Sequence, residues 1–437
     1  MNAVVIFAIL SVLLIAGKIL RVRIPLLQKL YLPSSVVGGI LGLVLLTVFP
    51  NAVSGDIVHD MRLMPGFLIN VIFATLFLGV ALPKMQDFAS SVFSQLTLAQ
   101  IVVWGQYVVG IGLCGFVLMP CFGVHPAFGN LLELGFEGGH GTVGGMSQAF
   151  TAKDWSDGIA LGYTVATAGM IIGIVLGMTL VNWAYRRGLV KTVRPFSVRN
   201  IAERRGIHLR GRRPSAGQQT VASDSVDSLA WHIAIVGISV LIGWGLWLPV
   251  SGQLKGFPLF PLCMIGGVIL QIVAKLVRMD LLIDRTQMER ISGAALDFLA
   301  LSAIATIEPS VVVANWMPLT IMIVGGVAWT TFAALFFGSR LFKEAWFERA
   351  IAEFGQATGV TATGLLLLRT VDPESKTPAS ASFAGKQLLH EPAMNLWVAL
   401  AFALIFTLGW LKVFLICAGM LTIWLVVSVV IMRRAKS

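Results

Sequence analysis

The chain has 437 residues, of which 57% are hydrophobic and only 12% are charged. Soluble domains carry about twice that share of charge, so a soluble enzyme or binding module is excluded and a chain with many membrane-spanning helices is implied. The net charge of +11 is concentrated: residues 186–213 hold ten Lys/Arg and a single acid, Glu203. In a soluble protein such a run would suggest nucleic acid. In an apolar chain it reads as a cytoplasmic loop placed by the positive-inside rule and able to touch anionic lipid, so the lipid bilayer is the expected partner and nucleic acid is not.

At the N-terminus an apolar run, 3–16, precedes Lys18, Arg21 and Arg23. That is the reverse of a secretory signal peptide, so a retained first span is expected. Apolar segments predict spans near 3–20, 33–49, 65–82 and 96–119, an irregular glycine-rich segment at 126–150, and a span at 157–184. A basic linker follows at 186–228, whose Pro, Ser, Gly and Gln content argues for mobility. Further spans are predicted near 229–248, 257–277, 292–308 and 315–338, then a second irregular segment at 345–369, and spans at 385–410 and 414–432. Cys114, Cys121, Cys263 and Cys417 show no metal spacing and read as inert packing residues.

The chain is organised around residues 137–147, EGGHGTVGGMS. Glycine is a poor helix former, and irregular backbone at membrane depth survives only where protein buries it or it lines a wet cavity. The run therefore reads as the tip of a re-entrant hairpin or a broken helix. Its polar groups suit a small solute or an ion, and the plainer reading of its small residues is close helix packing.

Basic clusters test this topology. With Lys18, Arg21, Arg23 and Lys29 in the cytoplasm, the N-terminus lies outside. The arginine-rich linker then reaches the cytoplasm only if 126–150 enters and returns. The same assignment puts Arg278, Arg285, Arg290, Arg340, Lys343 and the basic C-terminal tail inside. The halves also resemble each other. Pro33, Gly38 and Gly39 share a Pro-x4-Gly-Gly spacing with Pro261, Gly266 and Gly267, and Glu137-Gly-Gly-His-Gly-Thr142 is matched by Glu353-Phe-Gly-Gln-Ala-Thr358. This predicts an all-α polytopic membrane protein with two inverted repeats, each with a re-entrant hairpin or discontinuous helix, the pattern of secondary transporters. The repeats would be 1–185 and 229–412, joined by the linker and followed by an extra C-terminal span and basic tail at 413–437.

At Tyr31-Leu-Pro-Ser-Ser-Val-Val-Gly38-Gly39, at Gly138-Gly-His-Gly-Thr142 and at Gly359-Val-Thr361-Ala-Thr363, the chain resembles the bacterial sodium/glutamate symporters. The resemblance implies a homodimeric, elevator-type carrier of the bacterial inner membrane that uses sodium to take up an acidic amino acid. The chain departs from that pattern at Glu137, at Glu353, at Ala362 where the family's second hairpin has proline, and in its last span. Gly139, His140, Gly141, Thr142, Gly359, Thr361, Thr363 and Asn395 are candidate substrate contacts; Glu137, Glu353, Thr142 and Thr358 are candidate ion ligands.

A carboxylate at membrane depth is a functional candidate because it is costly unless paired. Glu137 and Glu353 would bind Na⁺ or carry a proton, or else sit in water at the hairpin mouths. His140 would donate to a substrate carboxylate or simply be a buried, bonded histidine. The threonines would offer hydroxyls or bond back to helix carbonyls. Lys386, Gln387, His390, Glu391 and Asn395 form a polar stretch in which Lys386 is a partner for an anionic substrate or for Glu391, or which is simply an interfacial helix start. No cofactor is expected beyond the coupling ion, and the Glu137/His140 spacing lacks the further ligands a zinc site needs. The absence of hydrolytic or phosphate-binding motifs argues against an enzyme. The competing readings are a proton-coupled carrier of another carboxylate or amino acid, and a non-transporting scaffold.

Overall fold

The computed structural model describes residues 2–30, 32–80, 90–190, 204–208, 213–253, 257–373 and 376–434. Tyr31, residues 191–203 and 209–212 of the basic linker, and Lys436 of the tail lie outside the described residues. In chain order the α-helices are α1 (Asn2–Arg23), α2 (Pro25–Lys29), α3 (Ser34–Val48), α4 (Gly55–Thr75), α5 (Ser90–Leu113), α6 (Met119–Phe122), α7 (Leu131–Phe136), α8 (Gly139–Gly145), α9 (Ser147–Thr151), α10 (Asp157–Arg186), α11 (Ser228–Gln253), α12 (Phe260–Leu276), α13 (Arg285–Ala305), α14 (Pro309–Ala314), α15 (Trp316–Leu341), α16 (Trp346–Val371), α17 (Ala379–Leu408) and α18 (Trp410–Arg434). No strand occurs among the described residues. Nine described helices are long and apolar enough to cross a membrane, and the chain is a multi-pass membrane protein.

Two departures from the sequence reading have physical causes. The span expected at 65–82 is helix α4, Gly55–Thr75. Its first turns carry Asp56, His59, Asp60 and Arg62, which hide them from a hydropathy reading. It stops at Thr75 because the Arg285 guanidinium takes the carbonyls of Thr75, Leu76 and Leu78 at 3.1, 2.9 and 3.2 Å. The linker's later part, expected to be mobile, is anchored among the described residues. Gln287 donates to Gln218 O (2.6 Å) and Ser228 Oγ (2.9 Å), and the Thr220 hydroxyl donates to Leu282 O (2.8 Å).

The chain divides into two compact units, each drawing on both halves of the sequence: Met1–Leu82, His140–Ile159 and Asn200–Ile307; and Pro83–Gly139, Ala160–Arg199 and Glu308–Ser437. In the first unit the two Pro-x4-Gly-Gly elements open α3 and α12 and permit backbone-close packing. A Cβ at Gly38 would lie 2.5 Å from Leu13 O of α1, and one at Gly266 would lie 2.2 Å from Ser239 O of α11. The second glycine of each pair faces the other half of the sequence. Gly39 lies against Ile304 of α13, and Gly267 against Ala74 O of α4.

In the second unit α16 does not run straight. Gly359 (φ −152°, ψ 40°) and Val360 (φ 61°, ψ 171°) interrupt it. A Cβ at Gly355 would lie 2.8 Å from the Gly364 Cα, whereas nine residues of straight helix rise roughly 13 Å. The chain therefore turns back on itself, giving an inbound limb to Thr358 and a return limb from Thr361. Helix α10 seats this hairpin with a stripe of glycines. Gly169 and Gly173 face the carbonyl and hydroxyl of Thr358, and Gly177 faces Leu367. Small residues four apart are what lets helices approach this closely in a bilayer.

Beyond the return limb, Asp372 closes the connection to α17. Burial alone would raise its carboxyl, but the Thr377 hydroxyl (2.6 Å) and the amides of Thr377 (3.0 Å) and Lys376 (2.8 Å) outweigh that and hold it below the usual carboxylate range. A depressed folded-state value contributes stability above the unfolded value of about 4, and that contribution is lost as pH falls through the folded value. Asp372→Asn is thus expected to melt a few degrees below wild type at pH 7 in detergent, with the gap closing below about pH 4. Gly173→Leu, whose Cβ would lie 2.5 Å from the Thr358 hydroxyl, is expected to abolish the monodisperse peak in size-exclusion chromatography.

Candidate functional site

The second unit collects an unusual set of buried polar side chains. They come from α5, from the end of α7, from both limbs of α16, and from α17. On α17 the spacing of Lys386 and His390 puts them on one side of the helix and Asn395 on the other, and all three are buried.

Glu137 stands just past α7, where the helix breaks before Gly139 (φ 68°). Its Oε1 accepts from His390 Nε2 and from Gln356 Nε2 (3.1 Å). The histidine tautomer follows from its neighbours. Trp104 Nε1 donates to Gln100 Oε1 (2.7 Å), which turns the Gln100 amide nitrogen toward His390 Nδ1 (3.2 Å). With Nδ1 accepting, Nε2 carries the hydrogen given to Glu137. In this tautomer the ring supplies a hydrogen bond and no net charge. Glu137 Oε2 is buried and has no hydrogen-bond partner among the described residues. A buried carboxylate oxygen without a donor is the kind of atom a cation or a proton satisfies.

From Glu137 a line of hydrogen bonds runs across the break in α16. Gln356 and Gln387 bond each other through both amides, at 2.8 and 3.3 Å. Gln387 Nε2 donates to Thr361 Oγ1 (3.1 Å), Thr361 donates to Glu391 Oε1 (3.0 Å), and Asn395 Nδ2 donates to Glu391 Oε2 (3.1 Å). At the break itself Val360 holds a positive φ, which costs a β-branched residue about 1–3 kcal/mol. Its Cγ1 sits where a Cβ on Gly139 would come within 2.4 Å. The tip of one broken segment therefore rests on the tip of the other.

Glu353 lies lower on the inbound limb and is fully buried. Its Oε1 accepts from Lys386 Nζ at 2.8 Å and its Oε2 from Gln95 Nε2 at 2.9 Å. Gln95 is oriented by Arg349, whose Nε donates to its Oε1 at 3.1 Å. A further buried carboxylate, Glu133, accepts from the Tyr107 hydroxyl at 2.6 Å.

Of the residues singled out in the sequence, the second unit brings together Glu137, Gly139, Gly359, Thr361 and Asn395 around the break. Thr358 and Thr363 flank it: the Thr358 hydroxyl bonds back to Phe354 O (2.7 Å), and Thr363 is buried against Gly359. Glu353 is hydrogen-bonded to Lys386 and Gln95 rather than to that line. His140, Gly141 and Thr142 belong to the first unit. There His140 and Thr142 are buried and Gly141 packs on Ile69. The glycine run expected to resist helix is helical over Gly139–Gly145, broken at each end. In the first unit it borders a cleft of about 240 Å³ lined by Asn70, Gly145, Ser147, Gln148, Trp244 and Trp247.

Sequence reasoning missed Glu133, Tyr107 and the amides of Gln95, Gln100 and Gln356. The available signal was an uncharged amide inside an otherwise apolar span. Among the described residues no group of three His, Cys, Asp or Glu side chains is arranged to hold a metal ion.

The model of the sodium/glutamate symporter family matches residues 1–343. The chain belongs to the sodium/glutamate symporter family. That family consists of carriers and not enzymes. The match takes in the first broken segment and ends just before α16, so Glu353, Lys386 and His390 lie beyond it. A sodium/glutamate symporter of Haemophilus influenzae is 24% identical over 267 residues, 60% of this chain and 62% of that protein's length. The chain is thus aligned with somewhat under two thirds of that relative.

The geometry at the two tips yields a test. Gly139→Ala adds a methyl against Val360 at a backbone angle that alanine resists. It is expected to lower stability by about 1–3 kcal/mol, read as a reduced melting temperature in detergent.

Proposed function

We propose that the protein is a secondary active transporter, a sodium-coupled symporter of glutamate or a similar acidic amino acid, working by alternating access. The observation that carries this reading is the unpartnered, buried Oε2 of Glu137 beside the break in α16. Around it are neutral donors and acceptors: Gln356, Gln387, Thr361 and Asn395. Such a lining binds a polar solute without holding it by fixed opposite charge. The return limb of α16 begins at the break, and the first N–H groups of a helix favour an anionic group.

Glu137 and Glu391 oppose that anion unless a cation is present. A sodium ion at Glu137 Oε2 would remove one negative charge and supply a positive neighbour, so ion and substrate would bind better together than apart. That mutual preference is the thermodynamic content of coupling. The ion-binding set would be Glu137 with nearby hydroxyls and carbonyls. The candidate substrate contacts in this unit are Gly139, Thr361, Thr363 and Asn395; His140, Gly141 and Thr142 are candidate contacts in the first unit.

The two inverted repeats, 1–185 and 229–412, are supported by the crosswise glycine contacts of α3 and α12. Opposed hairpins moving together as an elevator would carry the site from one face to the other. The protein would work as a homodimer in a bacterial inner membrane, with its N-terminus outside and its basic linker and C-terminus in the cytoplasm. A second reading rests on the same oxygen: a proton would satisfy Glu137 Oε2 as well as sodium does, giving a proton-coupled carrier of a carboxylate or amino acid.

Radiolabelled glutamate uptake into proteoliposomes separates these readings. An inward Na⁺ gradient is expected to drive uptake in wild type, and Glu137→Gln is expected to reduce it at least tenfold. Uptake that follows an imposed H⁺ gradient and ignores Na⁺ would transfer the site to the proton. Uptake under neither gradient would overturn the substrate assignment.

A further inference from the structure

Glu137 and Glu353 are built alike, and one difference between them carries a prediction. Each carboxylate has one oxygen satisfied by donors that are locked in orientation. At Glu137 that oxygen takes His390, which is oriented by Gln100 and Trp104. At Glu353 it takes the Gln95 amide, which is oriented by Arg349. The second oxygen differs. At Glu137 it has no partner among the described residues. At Glu353 it holds the Lys386 ammonium at 2.8 Å, with both side chains fully buried. The ammonium also lies 5.2 Å from the centre of the Phe383 ring, whose face favours a cation.

We propose that Lys386 is a resident counter-ion. Its ammonium fills a latent monovalent-cation site at Glu353 Oε1, so that of the two hairpin carboxylates only Glu137 takes an exchangeable ion. An ammonium and a sodium ion carry the same charge and both seek oxygen. The difference is that the ammonium is tethered and cannot be transported. The inference deepens the symport reading, since it sets how many ions this pair of carboxylates contributes to the cycle. It also assigns Lys386 away from the substrate. Among the described residues the carboxylate that the ammonium directly bonds is Glu353, and the line of hydrogen bonds through Gln356, Thr361 and Glu391 does not include it.

The test is equilibrium binding of ²²Na⁺ to the purified full-length protein, together with glutamate uptake in proteoliposomes. Lys386→Met is expected to bind one more Na⁺ per chain than wild type, because Glu353 then has an open oxygen. Lys386→Met/Glu353→Gln removes the charge and its partner together. It is expected to return to the wild-type number and to keep uptake within a few-fold of wild type, with unchanged Na⁺ dependence. A well-folded Lys386→Met that binds no additional ion overturns the proposal. So does a well-folded double variant that loses uptake, which would make Lys386 a substrate ligand. Should Lys386→Met fail to fold because it strands a buried carboxylate, the double variant decides alone by the same criteria. A wild type that binds no Na⁺ sinks the symport reading instead, and the gain of a monovalent-cation site in Lys386→Met is then read against K⁺ in the same assay.

Discussion

The reversal of α16 at Gly359 and Val360 is the constraint on which the second unit depends. A helix that crossed the membrane without interruption would satisfy its own backbone and would present side chains around its whole circumference. Turning back instead brings Gly355 against Gly364 and puts the inbound and return limbs side by side. Glu353, Gln356 and Thr361 then face α17 from one direction, and α17 answers with Lys386, Gln387 and Glu391. The strain at Val360 is held by packing on Gly139 and by the glycine stripe of α10, which lets α10 approach Thr358 closely.

Around that reversal the chain solves a polar problem with amides. Glutamine and asparagine each offer donors and an acceptor without charge, so they satisfy carboxylates in apolar surroundings without requiring a full set of buried cations. Trp104 fixes Gln100, and Arg349 fixes Gln95. Each fixed amide sets what a neighbouring histidine or carboxylate receives. The outcome is a site whose carboxylates are held rigidly but are not equally neutralised, which is the condition for one of them to exchange an ion.

How much of this was legible in the sequence varies by the kind of interaction. Glu137 and Glu353 stood out because acids are rare in apolar spans, Gly359 because it opens a short family motif, and the Pro-x4-Gly-Gly elements by their duplicated spacing. The family was legible from short motifs at Gly38, Gly138 and Gly359. The start of α4 was not, because Asp56 to Arg62 look like a loop to any hydropathy window. The partners of the carboxylates were not legible either. Gln95 reaches Glu353 across 258 positions and His390 reaches Glu137 across 253, and no local pattern encodes such pairings. The glycine stripe at 169, 173 and 177 was available to a reading of small residues at four-residue intervals and simply lay inside a span that hydropathy already explained.

The reciprocal bond between Gln356 and Gln387 has a consequence for how the ends of the site sense each other. Two amides joined through both oxygens and both nitrogens have only two fully satisfied arrangements, and these are opposite in polarity. In the present one Gln356 gives a hydrogen to Glu137, and Gln387 gives one to Thr361. A Glu137 that had itself become a donor would turn Gln356 over, Gln387 would have to follow, and Thr361 would have to hand its hydrogen to the glutamine instead of to Glu391. A proton placed on Glu137 Oε1 would thereby be written into the hydrogen bonding of Glu391 on the far side of the helix break, through rotation of two side chains and no movement of the backbone, whereas a cation at Oε2 would leave both amides as they are.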